Sequence, residues 1–451
     1  MRELGIFTDG TICAPATIPG TGAISIIRVS GEDSLAIADK VIDVKGESLS
    51  ETEGYRLRYG TIFADDGSVL DNVIVSVFRA PHSYTGENSV EISCHASRFI
   101  VNEVLELLVN AGARIAAPGE FTRRAFVNGK MDLAQAEAVA DVIASQSAAA
   151  HRVAMNQLKG GFSSELKTLR EKLLTMTSLL ELELDFSEED VEFASRSELG
   201  SLVEETLTHI VRLTDSFSRG NAIKNGVPVA IVGATNTGKS TLLNALLGEE
   251  RAIVSDIAGT TRDTIEEEVV IDGIRFRFID TAGLRDTDDK LERMGIERSH
   301  KAIETAQVII RMVEPTTKSA EVLADNETAA REIVVVNKID TSEQRNIDGA
   351  IYISARENIG IDELRKALCD TIDTEGLYRG DVIVSNARHY DALSKAHDGI
   401  ERAIAGLSDG ISSEMLSEDI RTTIDALGEI TGEITSDEIL GNIFSKFCIG
   451  K

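Results

Sequence analysis

A chain of 451 residues has room for about three domains, each with its own core. Its 46 Lys and Arg against 75 Asp and Glu leave a net charge of −29, which excludes a surface that grips nucleic acid everywhere; any RNA contact needs a local basic patch or a basic partner. Four scattered cysteines (Cys13, Cys94, Cys369, Cys448) show no metal-ligand spacing and no run of eighteen apolar residues occurs, so a soluble, cytoplasmic protein with no membrane span is expected.

The first segment, MRELGIFTDGTICAPATIPG, carries acids, glycines and prolines where a signal peptide needs a continuous apolar core. Residues 1–128 read as an α+β domain. Strands are expected at 23–30, 72–78 and 89–94 from apolar alternation, and a helix at 97–111 from three- and four-residue apolar steps. From Met131 the texture becomes alanine-rich, and helices are expected through 129–220, with runs at 164–184 and 197–217. Strands and helices then alternate over 221–375, as in a doubly wound parallel sheet. Residues 376–451 return to helix, at 386–406, 414–428 and 435–447, the last opening on a capping box from Thr435 to Glu438. The nucleotide-type segment therefore reads as inserted into one discontinuous helical bundle; two separate helical domains are the alternative. The C-terminal CIGK has the length of a prenylation box, but Lys in the last position fits it poorly.

The chemistry concentrates in 229–241, VAIVGATNTGKST. An apolar strand enters a glycine-rich turn and leaves on a helix, the G-x-x-x-x-G-K-[ST] pattern whose backbone N–H groups face phosphate oxygens. Lys239 supplies a charge for the β- and γ-phosphates, and the Ser240 hydroxyl suits Mg²⁺. GTTRD (259–263) follows, with Thr261 placed to ligate Mg²⁺ and sense the γ-phosphate. A strand then ends in Asp280-Thr281-Ala282-Gly283, where Asp280 suits an outer-shell Mg²⁺ carboxylate and the Gly283 N–H the γ-phosphate. A further strand ends in Asn337-Lys338-Ile339-Asp340. The Asp340 carboxylate can accept from guanine N1–H and N2, donors that adenine lacks, and Ser354-Ala355 can present N–H groups to O6. Four such motifs in this order, each at a strand end, predict GTP binding. After DTAG the small signalling GTPases carry a glutamine that orients the attacking water. Here Leu284 stands instead, so that task falls to a carboxylate in DTDDKLER (286–293) or to another protein.

Together with these motifs, ATIPGTGAISIIRVSG (16–31), YTGENSVEI (84–92), PGEFTRRAFVNGKMDLAQAEA (118–138), GIERS (295–299) and EITGEITSDEILGNIFSKFCIGK (429–451) make the chain resemble the MnmE or TrmE family of tRNA modification GTPases over nearly its full length. The resemblance implies an N-terminal α+β folate-binding domain that forms a homodimer, the discontinuous helical bundle, and the inserted doubly wound α/β P-loop GTPase domain. It implies a GTP hydrolase acting in tRNA modification: with a flavin-dependent partner, in a hetero-oligomer, it adds a carboxymethylaminomethyl or aminomethyl group to C5 of the wobble uridine. The one-carbon donor would be a tetrahydrofolate derivative in its 5,10-methylene or 5-formyl form.

Carried onto this sequence, the family's folate positions match Arg28, Glu91, Lys130 and Lys451. Its potassium ligands match Asn236, Ser255, Ile257 and Thr260; a cation there neutralises charge that other systems meet with an inserted arginine. Its nucleotide contacts run through Thr237, Gly238, Thr241, Asp256, Ala258 and Gly259 besides those above. The family's water-orienting glutamate matches Glu292, which answers the gap left by Leu284. Cys448, in the family's terminal FCIGK, is expected near the folate, as nucleophile, orienter or packing residue. Two departures stand out. Cys94-His95-Ala96-Ser97 replaces a GHGG-like turn, and Thr235 replaces a proline in the phosphate loop. The other readings are a regulatory or ribosome-assembly GTPase without modification chemistry, which the N-terminal third and the FCIGK tail argue against, and a folate-dependent methyltransferase acting alone.

Overall fold

The computed structural model describes residues 10–185, 195–234, 236–248, 266–279, 303–315, 330–341, 347–372, 381–448 and 450. They divide into two compact units, one drawn from Met1–Ala140 with Leu427–Lys451, the other from Asp141–Ala426.

The first unit is built on a seven-stranded sheet, ordered β3-β4-β5-β6-β2-β1-β7. Its strands are β1 (Ile12–Pro15), β2 (Ile24–Ser30), β3 (Ile42–Val44), β4 (Arg56–Phe63), β5 (Val69–Phe78), β6 (Ser89–His95) and β7 (Arg114–Ile115). Neighbours run antiparallel, except β1 and β7. Period-two alternation sorts β5: Val73, Val75 and Val77 are buried while Asn72 and Ile74 face outward. Helices α1 (Ser34–Val41) and α2 (Arg98–Asn110) cover the inner face, with Leu35, Ile37, Val104 and Leu108 in the same core as the sheet valines. The expected strands correspond to β2, β5 and β6. Strand β4 escapes the alternation rule because Leu57, Tyr59 and Phe63 on its outward face are themselves large and apolar.

A smaller core of this unit joins α3 (Glu120–Val127), the first turns of α4 (Leu133–Ala144) and the C-terminal helix over Asp437–Ser445. Leu133, Ala136, Leu440, Phe444 and Phe447 pack together there. The C-terminal helix starts one residue later than the sequence box suggests. Ser436 is the cap, its Oγ accepting from the Ile439 N–H at 3.3 Å, because Ser436 has the extended backbone a cap requires.

The second unit holds a six-stranded sheet ordered β13-β12-β11-β8-β10-β9. The strands are β8 (Val227–Gly233), β9 (Glu267–Ile271), β10 (Ile274–Phe278), β11 (Val308–Val313), β12 (Arg331–Val336) and β13 (Ile351–Tyr352), all parallel to their neighbours except the β9–β10 pair. Strand β8 lies between β10 and β11, so crossovers leave it in both directions and open a crevice at its C-terminal end. Val229, Phe276, Ile310 and Val335 pack with Leu242 and Leu246 of α8 (Lys239–Leu247) and with Leu364 and Leu368 from the helix over Ile361–Asp370.

The alanine-rich stretch proves to be two helices. Helix α4 ends at Ala144, and Ser147 caps α5 (Ala148–Leu158) by accepting from the Ala150 N–H at 3.2 Å. Helices α6 (Gly161–Asp185) and α7 (Arg196–Asn225) follow, and α7 packs along the helix over Ala387–Asp409. Gln157 on α5 donates to the Ile383 carbonyl and to Ser385 Oγ, both at 3.2 Å. Helices on either side of the sheet in sequence thus share one packing region. Among the described residues no helix is long and apolar enough to cross a membrane.

Candidate functional site

Two clusters carry the residues singled out by sequence, one in each unit. In the second unit, β8 delivers the chain to Gly233, and the loop through Asn236–Gly238 turns it into α8. The turn needs left-handed backbone at Asn236 (φ 68°) and Gly238 (φ 96°). Asparagine is among the few side chains that tolerate that region, so Asn236 has a backbone reason for its place independent of any ion. A Cβ on Gly238 would collide with the Asn337 amide, which only glycine avoids. Helix α8 begins at Lys239, so its first-turn N–H groups, which have no acceptor within the helix itself, face the loop. Lys239 Nζ donates to the Gly233 and Ala234 carbonyls at 2.8 and 3.0 Å, and burial beneath the loop lowers its pKa.

Asn337, at the end of β12, is buried and bridges two loops. Its Nδ2 donates to the Thr237 carbonyl at 2.8 Å, and its Oδ1 accepts from the Ala355 N–H at 3.0 Å. The side chain is therefore a brace that sets the phosphate loop against the 354–355 turn. Asp340 is exposed and accepts from Ser354 Oγ at 2.8 Å, and the same Ser354 oxygen receives the Glu357 N–H at 3.3 Å. Lys338 pairs with Glu314 at 2.6 Å. Loops from β8, β12 and β13 thereby meet at the C-terminal edge of the sheet, with one carboxylate pointing into water.

In the first unit, Arg28 and Glu91 face each other across the β2–β6 ladder and pair at 2.9 Å. The guanidinium lies over the Tyr84 ring (5.0 Å) and the Phe121 ring (5.6 Å). Burial pushes the Tyr84 phenol up, against the pull of its 2.8 Å hydrogen bond with Thr122 and of the Arg28 charge, so it stays protonated. Lys130 donates to the Pro81 carbonyl at 2.9 Å, and Asn128 Nδ2 to the Thr85 carbonyl at 2.7 Å. Arg28 and Lys130 are thus gathered around one loop, 81–87. Beneath it Arg124 donates to both Glu87 oxygens at 3.1 Å and to Glu120 at 3.0 Å, with both Arg124 and Glu120 buried. Burial alone would raise Glu120, but hydrogen bonds from Arg114 and the Ala117 N–H, with the charges of Arg124 and Arg114, hold its carboxyl below the usual range.

The C-terminal tail closes onto the same unit. The Gly119 N–H faces the Cys448 carbonyl at 3.5 Å, and Gly450 is buried against the Pro15 carbonyl at the end of β1. Cys448 is exposed. Burial pushes the Cys13 and Cys94 thiols up to about 11 and Cys369 to about 12, which leaves those three unreactive. At the departure from the GHGG-like turn, His95 Nδ1 and its backbone N–H both meet the buried Asp71 carboxylate, at 2.7 and 2.8 Å. Ser255, Asp256, Ile257, Ala258, Gly259, Thr260, Thr261, Asp280, Thr281, Ala282, Gly283, Glu292 and Lys451 lie outside the described residues.

Comparison with known proteins adds the decisive observation. A family model described as MnmE helical domain matches residues 133–448, and one described as GTP-binding protein TrmE N-terminus matches 11–130. The tRNA modification GTPase MnmE of Bacteroides thetaiotaomicron is 51% identical, covering 98% of this chain and 99% of its own. Those of Cytophaga hutchinsonii (50%, 98% and 98%) and Flavobacterium johnsoniae (48%, 99% and 100%) are similar over the same extent.

The chain belongs to the MnmE family of tRNA modification GTPases. The TrmE N-terminus match contains the Arg28, Glu91 and Lys130 cluster, and the MnmE helical-domain match has the three nucleotide-type loops inside its span. What sequence reasoning missed are the residues that hold this MnmE cluster in shape: Tyr84, Glu87, Glu120, Phe121 and Arg124. All five sit within the stretches 84–92 and 118–138 that carry the family resemblance, and that was the available signal.

Proposed function

We propose that this protein hydrolyses GTP, with Mg²⁺ and K⁺, to drive a step in which a carboxymethylaminomethyl or aminomethyl group is added to C5 of the wobble uridine of tRNA. The observation that carries the reading is the meeting of the phosphate loop, the Asn337 brace and Asp340 at one sheet edge, in a chain about half identical to tRNA modification GTPases end to end. Ser240 and Thr261 would hold Mg²⁺. Asn236, exposed in the loop, would join Ser255, Ile257 and Thr260 around K⁺, and Glu292 would orient the attacking water in place of the missing glutamine.

Arg28, Glu91, Lys130 and Lys451 would hold the tetrahydrofolate derivative. The donor set fits such a group: a cation on aromatic faces beside a carboxylate suits pterin N–H groups and a glutamate tail. When bound, the folate supplies a one-carbon unit, and a flavin-dependent partner supplies the redox chemistry. The domain reading remains 1–128, 129–220, 221–375 and 376–451. Homodimerisation through the first domain agrees with the outward face of its sheet, where Leu57 (68% exposed) and Tyr59 (61%) lie beside Ile74 (48%).

Two measurements test the proposal. GTP turnover should be several-fold faster in K⁺ than in Na⁺ at equal ionic strength, and equal rates would overturn the cation role. Mass spectrometry of wobble uridines from a deletion strain should show the modification lost; an intact modification would favour the regulatory GTPase reading.

A further inference from the structure

We infer that the outer face of α5 is a docking strip for the phosphodiester backbone of RNA. The first observation is compositional. Although 75 of 451 residues are acidic, none lies between Val142 and Ser164, where the charge-bearing side chains are His151, Arg152 and Lys159. The second is geometric. Helix α5 buries Ala150, Val153, Ala154 and Gln157, and His151, Arg152 and the C-cap residue Lys159 are exposed. These three, with Gln146, Met155 and Asn156, line a groove of about 710 Å³, and among the described residues that line it none is acidic.

The spacing suits a polymer better than a single anion. Arg152, Asn156 and Lys159 follow one another at four and three residues, so they form one stripe about 10 Å long on one face of the helix. Two cations with an amide between them can meet successive phosphates, and Met155 offers an apolar surface for a ribose or a base edge. The start of α5, capped by Ser147, adds the positive end of the helix, and Arg275 of β10 reaches the Gln146 side chain at the rim. On a chain of net charge −29, a cationic strip whose own segment, 142–164, contributes no acid concentrates what attraction for a polyanion the surface has, while Arg275 at the rim is itself paired with Glu268. The inference rests on the tRNA-modification reading for its occupant, and it localises where the RNA backbone would touch this chain.

The test uses the full chain and a labelled tRNA transcript, titrated by anisotropy across a salt series. An Arg152→Gln/Lys159→Gln variant should bind about tenfold more weakly near physiological salt, with a slope of log affinity against log salt shallower by about two. A control with the same charge change at exposed positions elsewhere, Arg56→Gln/Lys366→Gln, should bind as the wild type does, and both variants should keep the wild-type GTPase rate. The inference is overturned if the α5 variant binds with wild-type affinity and slope, or if the control loses as much. It is equally overturned if the α5 variant keeps tRNA but no longer captures the flavin-dependent partner, which would make the strip a protein-docking surface. A wild-type chain that binds no tRNA would also sink it while leaving the proposed function standing; that function fails separately, through intact wobble uridines in the deletion strain.

Discussion

Asn337 shows how much one side chain can carry. It is buried, and its two hydrogen bonds link the phosphate loop to the 354–355 turn. Asn337→Ala should leave a buried carbonyl and a buried N–H unpaired, at about 1–3 kcal/mol each. A fluorescent-GDP titration should show affinity weakened at least tenfold, and unchanged affinity would remove the bracing role. Lys239 gives a pH prediction. Its pKa is lowered in the free protein by burial, whereas phosphate oxygens would favour the charged form and raise it. GDP binding should therefore take up a proton once pH exceeds the free-state value, and GDP affinity should fall as pH rises through it. Guanosine, which lacks phosphates, should lose affinity only through its own base; parallel curves for the two would contradict the assignment.

At the scale of elements, the informative join is between α3 and the C-terminal tail. Gly119 has φ 66°, and a Cβ there would lie 2.6 Å from the Phe444 carbonyl and 3.0 Å from the Phe447 Cβ. Gly119→Ala should thus strain the backbone and displace the tail, at about 1–3 kcal/mol locally. The chain has no Trp, so the sensitive readout is hydrogen exchange of the 437–448 peptides together with the rate of Cys448 alkylation. Both should rise in the variant. If neither changes, the tail is not held by this contact, and the expectation from the family resemblance that Cys448 lies near a folate loses its structural support.

For the whole molecule, the charge balance and the outward face of the first sheet make separate demands. Leu57, Tyr59 and Phe63 alternate along β4, and Tyr59 stands opposite Ile74 of β5, so a large apolar face is turned away from the core. Tyr59→Asp should leave the fold intact, since the side chain is 61% exposed and outside the core, and, with the proposed homodimer formed through this face, should shift the light-scattering mass at micromolar concentration from dimer toward monomer. A variant that keeps the wild-type mass would place the dimer contact elsewhere. At net charge −29, moreover, RNA binding by this chain should be confined to a small area with few phosphate contacts and hence a shallow salt slope, whereas a partner with a basic surface would add contacts and steepen it.

Much of this was legible in the residues. Local patterns decided the helices, the doubly wound alternation and the strand–turn–helix form of the phosphate loop, because each depends on chemistry within a few positions of chain. Strand β4 and the cap at Ser436 were not, since outward apolar residues hide alternation and neighbouring hydroxyls compete for one cap. Three things came only from tertiary structure. These were the brace of Asn337 across 100 residues to Thr237, the gathering of Arg28, Tyr84 and Phe121, and the seating of the tail on Gly119. They are contacts between residues far apart in sequence, and the partner of a buried amide or a guanidinium is set by which loops the sheet brings together, which no local pattern encodes.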